Sequence, residues 1–394
     1  MERIKRGNLR AVEINKAKKR KLKYITIAVV LAVLLLLGIV IFVVRNTKNY
    51  ESFELKGSVD LVGLDSSKVM SYKNGIIKIG RDGAETISAD GKQIWNVSYN
   101  MKDPTADVNG NYVVIGDRGQ KSVYIIDGAG VTNSIETIYP IVEVQVATQG
   151  VAAILMDSGT QDLISIYSMD ASQPLADVTT LTAQDGFPIS IALSDDGTKL
   201  VTSYIKVEND TVVSQVTFHN FGAVGQNHID QLVGSWSFSE FVPKIEFITN
   251  DIVAVFTEKG LILYSMEEIP SEFMNENFSH EIKDIFYTSS YVGVVLEAET
   301  GTAKNQMIAY NTKGKKVLDS SLDVSYQKII AGDEFLVFYD EDSCTVTDLK
   351  GNKIFDDEFR IAINKLLLGR KSQEFLGITD IGIDILEMVE TKEE

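Results

Sequence analysis

Three histidines, His219, His228 and His280, are the only imidazoles in the chain. A zinc enzyme needs ligands at fixed spacing on one element, and no HExxH, HxH or i, i+4 pair occurs. His219 lies in the apolar run Val216–His219 and His228 after a Gly-rich turn, so both read as scattered surface side chains. The one cysteine, Cys344, stands inside Ser343-Cys344-Thr345-Val346, where a buried inert thiol is expected, because no basic cluster lies near it in sequence to favour the thiolate. A G-x-S-x-G elbow is absent. Ser325 and Lys328 have the spacing of a serine nucleophile with a lysine base, but that pair needs a helix, and a strand would send the two side chains to opposite faces. Asp340-Glu341-Asp342 and Asp195-Asp196-Gly197 offer oxygen ligands for a structural calcium ion, without the spacing of a calcium loop. Asp and Gly also serve hairpin turns for backbone reasons alone. No residue is expected to serve as a catalytic group or as a metal or cofactor ligand.

What would position such groups is read from hydropathy and charge. Tyr24 to Val44 is uncharged throughout and, as a helix, would be roughly 31 Å long, enough to cross a bilayer. Residues 1–23 carry ten basic and two acidic residues, net +8, so the positive-inside rule keeps the N-terminus in the cytoplasm and the rest outside. The run ends Ile41-Phe42-Val43-Val44-Arg45 with no small-x-small cleavage site, which favours an uncleaved anchor over a signal peptide. The expected organisation is a basic tail (1–23), a membrane span (24–44), a linker (45–51), an extracytoplasmic domain (52–390) and an acidic tail (391–394).

Beyond the tail the chain holds 28 basic and 53 acidic residues, net −25. A field of that sign argues against nucleic acid or anionic lipid as ligand and suits cationic or neutral partners. A lone cysteine forms no intrachain disulfide, so the domain must be held by its core.

Past Tyr50 the chain alternates short Val/Ile/Tyr/Phe runs with Gly, Asn and Asp turns, as in Tyr112–Ile115, Val123–Ile126, Ile252–Phe256 and Leu261–Tyr264. Units fall near 68–99, 106–138, 141–176, 187–222, 243–267, 282–319, 327–356 and 361–390, a period near the 40–45 residues of propeller blades. The expected fold is therefore all-β, a β-propeller of eight blades, with seven the alternative count, after one transmembrane helix. A tandem of β-sandwiches is the competing architecture. The last unit lacks an outer strand, and Ser52-Phe53-Glu54-Leu55 is expected to supply it and close the ring.

Four turns carry a family resemblance. Ser194-Asp195-Asp196-Gly197-Thr198-Lys199-Leu200 resembles the S-P-D-G-x-x-L turn of WD40-like and TolB-like propellers, with Asp195 in place of proline. Ala89-Asp90-Gly91-Lys92-Gln93-Ile94-Trp95 resembles the D-G-K-x-L-W turn of quinoprotein-type propellers, and 312–318 and 349–355 are looser copies. The chain resembles membrane-anchored single-pass propeller proteins of Firmicutes whose function is uncharacterised. The resemblance implies a fold and a cell-surface location and no reaction. Quinoproteins set a tryptophan floor, a calcium ion and an aspartate base around the channel. Here one of the two tryptophans, Trp95, belongs to a blade turn, and Trp236 stands in a loop or strand where packing and partner contact are both open.

The segment Met266–His280 departs from the repeat and is expected to form a short amphipathic helix on its own blade or a partner-binding loop. Trp236, Phe273, Met274 and Phe278 are the candidate partner contacts. The favoured function is a membrane-anchored extracytoplasmic binding or scaffold module for an envelope protein or cell-wall polymer. A sensor working through a cytoplasmic partner, and a glycan hydrolase or lyase with two carboxylates at the channel mouth, are the alternatives.

Overall fold

In the computed structural model residues 50–390 are described, apart from 62, 65–66, 171–172 and 298–304. The basic tail, the 24–44 span and the acidic tail lie outside the described residues. Among the described residues no helix is long and apolar enough to cross a membrane. Residues Glu51–Val389 form one compact unit.

Eight four-stranded antiparallel sheets make a β-propeller. Blades 1 to 7 are consecutive, spanning 68–98, 104–136, 141–181, 187–238, 244–277, 282–322 and 328–358. Blade 8 takes its three inner strands from 365–390 and its outer strand from the other end of the domain, Tyr50–Asp60, as expected. That strand begins inside the segment read as linker.

The burial pattern explains the strand grammar. The second strand of each blade is covered on both faces by neighbouring blades, so it reads as a continuous apolar run: Phe335–Tyr339 and Tyr291–Leu296 are buried at every position. Outer strands are covered on one face and alternate, as in Lys353–Glu358. The core is distributed accordingly, in clusters between successive blades. Tyr72, Ile77 and Trp95 of blade 1 pack on Val113, Ile115 and Ile126 of blade 2. Phe218 of blade 4 packs with Val255 and Tyr264 of blade 5. At the closing interface Phe53 meets Phe355 and Phe375, with ring centroids 4.4 and 6.0 Å apart.

Two blades are wider than the sequence reading allowed. Met266–His280 is neither helix nor loop: Ser271–Asn277 is the outer strand of blade 5, paired with Gly260–Ser265. Its half-buried positions, Met274 and Glu276, alternate with exposed ones, a period-2 pattern that the five-residue lead-in Met266–Pro270 disguised. Leu232–Phe238 is likewise the outer strand of blade 4, reached through a connection that includes two 3-10 turns. A single helical turn, Thr182–Asp185, joins blades 3 and 4.

The turn motifs are structural. Asp127, Asn311 and Asp348 each accept two backbone N–H groups from the hairpin that follows, at 2.8–3.0 Å, and the glycine of each turn has positive φ. Asp196 accepts from Ser194 Oγ, Thr198 N and Oγ1, and Asn250 Nδ2 at 2.7–2.9 Å. Those donors outweigh its burial and hold its pKa at about 2. Asp340 likewise accepts from Asp342 N and Ser343 N. In each acidic cluster weighed as a calcium site, one carboxylate, Asp196 or Asp340, is thus engaged by its own turn.

Candidate functional site

The innermost strand of every blade is a sheet edge, with backbone groups left unpaired toward the central channel. Side chains of the neighbouring blade meet them. Lys328 Nζ donates to Asn364 O (2.5 Å), Lys365 Nζ to Val69 O (2.7 Å) and Lys68 Nζ to Ala106 O (3.3 Å), clasping blades 7, 8, 1 and 2 in succession. Asp107 accepts from Val146 N at 2.9 Å, joining blades 2 and 3. Gln145 donates to Ile191 O at 2.6 Å and accepts from Leu193 N at 2.8 Å, joining blades 3 and 4. Tyr287 donates to Glu246 (2.9 Å) and Tyr326 to Asp284 (2.7 Å), joining blades 5, 6 and 7.

These clasps divide the channel by charge. Lys328, Lys365 and Lys68 lie on blades 7, 8 and 1; Asp107, Glu143, Glu246 and Asp284 lie on blades 2, 3, 5 and 6. Burial raises the pKa of Asp107 and Glu143; repulsion from Glu246 adds to both, and from Asp107 to Glu143, against backbone hydrogen bonds and the pull of Lys244. Burial lowers the pKa of Lys68 and Lys365; at Lys365 the like charges of Lys68 and Lys328 lower it further.

One side of the channel mouth is built up by blade 4. Its middle strands, Lys199–Glu208 and Thr211–Asn220, are longer than their neighbours. The first strand of the blade pairs only as far as Phe187↔Ile205 and the outer strand as far as Ser214↔Phe238. Residues 206–213 thus project roughly 10 Å as a free hairpin, closed by Asn209 and Asp210, both at positive φ. Its cross-strand pair Val207–Val212 is exposed, and Phe187, Ile189, Val142 and Leu181, on strands of blades 3 and 4, are each at least one-third exposed.

The candidate contacts from the sequence do not meet at this mouth. Trp236 is half-buried between blades 4 and 5, 5.2 Å from the Phe218 ring and 5.3 Å from Tyr264, so it packs rather than presents. Phe278 is buried and Met274 half-buried in the blade 5–6 core. Phe273 is exposed, on the rim strand of blade 5. His219 is not a surface residue: it is 4 % exposed, and burial lowers its pKa to about 4. His228 is exposed. Cys344 is buried, and burial raises its pKa. Ser325 precedes the strand that begins at Lys328, whose amine is taken by Asn364. Among the described residues no three acids, histidines or cysteines are placed to hold a metal ion. A cleft of ≈ 680 Å³ on blade 1 has charged walls of both signs, Lys78, Arg81, Asp82 and Glu85, with Lys78 and Glu85 paired at 3.2 Å.

The mouth residues escaped the sequence reading because Val207 and Val212 look like ordinary strand residues. The available signal was strand length: ten residues on each side of Asn209-Asp210, against five to nine in the middle strands of other blades.

The sequence profile of a family of unknown function, DUF5711, matches residues 46–388. No functionally curated protein matches the chain in sequence. The fold is similar to that of BamB from Moraxella catarrhalis, at 12 % identity and a TM-score of 0.52, over 86 % of this chain and 100 % of that one. It is also similar to a structure described as the eukaryotic initiation factor, at 9 % identity and a TM-score of 0.53, over 88 % and 90 % of the two chains. Both likenesses concern the fold alone.

Proposed function

Because the chain belongs to the DUF5711 family, a family of unknown function, its own surface must carry the functional reading, and we propose that it is a membrane-anchored protein-binding module. In this reading 24–44 anchors the chain, residues 1–23 stay in the cytoplasm, and the propeller stands outside the membrane. The observation that carries it is exposed apolar side chains on blade 4: Val207 (72 %) and Val212 (53 %) on the projecting hairpin, and Phe187 (56 %) at the start of the blade's innermost strand. Apolar groups gathered on a projecting element mark interaction surfaces. The charge beside them is negative, with Glu208 and Asp210 on the hairpin itself and −25 on the chain beyond the tail. The partner that fits is an apolar segment of another envelope protein flanked by basic residues. The channel carboxylates serve binding rather than catalysis here, since Asp107 and Glu246 already accept from neighbouring blades.

The test is in-cell crosslinking of the full chain, compared with a chain ending at residue 50 and with the variant Phe187→Ser/Val207→Ser/Val212→Ser. Capture of a discrete envelope protein that falls about ten-fold in the triple variant supports the reading, as expected for losing buried apolar contacts of 1–2 kcal/mol. Undiminished capture in that variant refutes this surface. Recovery of wall polymer instead of protein replaces the partner class. Recovery of the whole chain in the soluble fraction refutes the anchor.

A further inference from the structure

The three channel lysines occupy one structural position. Each opens the innermost strand of its blade, and each pairs with the last residue of the second strand: Lys328↔Tyr339, Lys365↔Ile378, Lys68↔Ile79. Their clasps run head to tail. The Lys328 ammonium sits at the carbonyl of Asn364, just before Lys365, and the Lys365 ammonium at the carbonyl of Val69, just after Lys68. Three positive groups therefore gather along one arc of a strongly acidic protein. Capping a backbone edge does not call for charge, since Gln145 does the same work between blades 3 and 4 with an amide. Of the charged groups acting on the arc, Asp107 and Arg118 face Lys68, with opposite effects, while Lys365 faces Lys68 and Lys328. Each ammonium has three N–H donors and gives one to a carbonyl.

From this arrangement we infer that the arc of blades 7, 8 and 1 at the channel mouth is a binding site for an oxyanion, a phosphate or carboxylate group, held by Lys328, Lys365 and Lys68. Bound there, the anion takes the remaining N–H donors and relieves the repulsion among the lysines. Lysines act as point charges, without the planar fork of arginine, so ammoniums strung along the arc suit the several oxygens of a phosphate better than a flat carboxylate. Lys244 is the built-in control. It holds the same position in blade 5, paired with Phe256, but its ammonium is matched by Glu246 at 2.8 Å. The site does not depend on the hairpin of blade 4 and stands whether or not that surface binds a protein.

The test uses the full chain and two probes, inorganic phosphate and acetate, titrated at fixed ionic strength by calorimetry. Saturable binding is expected, tighter for phosphate, and weakened roughly ten-fold or more by Lys365→Gln, the loss of one charge-assisted contact. Tighter acetate than phosphate would assign the site to carboxylates. No binding of either at millimolar concentration, or unchanged binding in Lys68→Gln/Lys328→Gln/Lys365→Gln, overturns the proposal. A second measurement needs no variant. Phosphate is expected to protect Lys68, Lys328 and Lys365 of the wild-type chain from an amine-modifying reagent, read by mass spectrometry, and to leave Lys244 unprotected. Equal protection of all four lysines would mean general screening and would also overturn it.

Discussion

The two faces of the propeller use the same residue types for opposite ends. On the face of the turns between first and second strands, carboxylates are saturated with donors. Asp196 holds Ser194, Thr198 and Asn250; Asp195 accepts from Asn109 at 2.9 Å and, through its carbonyl, from Thr148 at 3.0 Å; Lys199 is paired with Asp251. These contacts tie blades 2 to 5 together. At the channel mouth the acids are drier and fewer donors reach them, so the pKa of Asp107 and Glu143 rises where that of Asp196 falls. A carboxylate given its donors by the fold is part of the scaffold. One held beside unsatisfied charge, near exposed apolar side chains, is available to something else.

Four measurements would sharpen or break that contrast. The largest effect belongs to the core both faces share: Phe218→Ala removes a fully buried ring between blades 4 and 5 and should cost about 3–5 kcal/mol in denaturant melts. A loss below 1 kcal/mol would mean that the blades are not held by these interfaces.

Next is acid sensitivity near the turn face. The folded pKa of His219, about 4, lies below the usual 6.5, so the unfolded chain binds a proton that the folded one refuses. Stability contributed by the neutral ring is complete above pH 6.5 and is lost as pH falls toward 4, by about 3 kcal/mol. His219→Leu should flatten the stability profile across that window, and an unchanged slope would remove His219 as its source.

Asp196 runs at lower pH with the same direction. Its stabilisation is complete above pH 4 and lost as pH falls toward 2. Because the side chain is partly exposed, Asp196→Ala should cost only about 1 kcal/mol at pH 7. The smallest effect is on the mouth: Val207→Ser/Val212→Ser should change stability by no more than about 0.5 kcal/mol. A cooperative loss of stability there would show that the hairpin belongs to the fold and is not a free surface.

Strand grammar, the period near 42 residues and the closing strand were readable because each blade repeats one buried run and one Asp/Gly turn. Ser52–Leu55 could be recognised as the missing outer strand from its alternation and from what the last unit lacked. The outer strands of blades 4 and 5 were harder. They follow long connections and are covered on one face, so Leu232–Phe238 and Ser271–Asn277 carry a weak period. Trp236 looked like an anchor for the same reason: a lone aromatic beside an unclear element shows neither which side it faces nor what covers it.

The amino-acid order alone determined the class of fold, the repeating unit, the turn chemistry, and the charge and hydropathy on which the membrane reading rests. Each of these is local or additive, fixed by neighbours within a few dozen residues. The channel lysines, the acids opposite them and the face of Trp236 were decided only by closure of the ring. Lys68, Lys328 and Lys365 are some 260 to 300 residues apart at their extremes, Val69 and Lys365 being 296 apart, and only a ring that returns its last blade to its first can set them side by side.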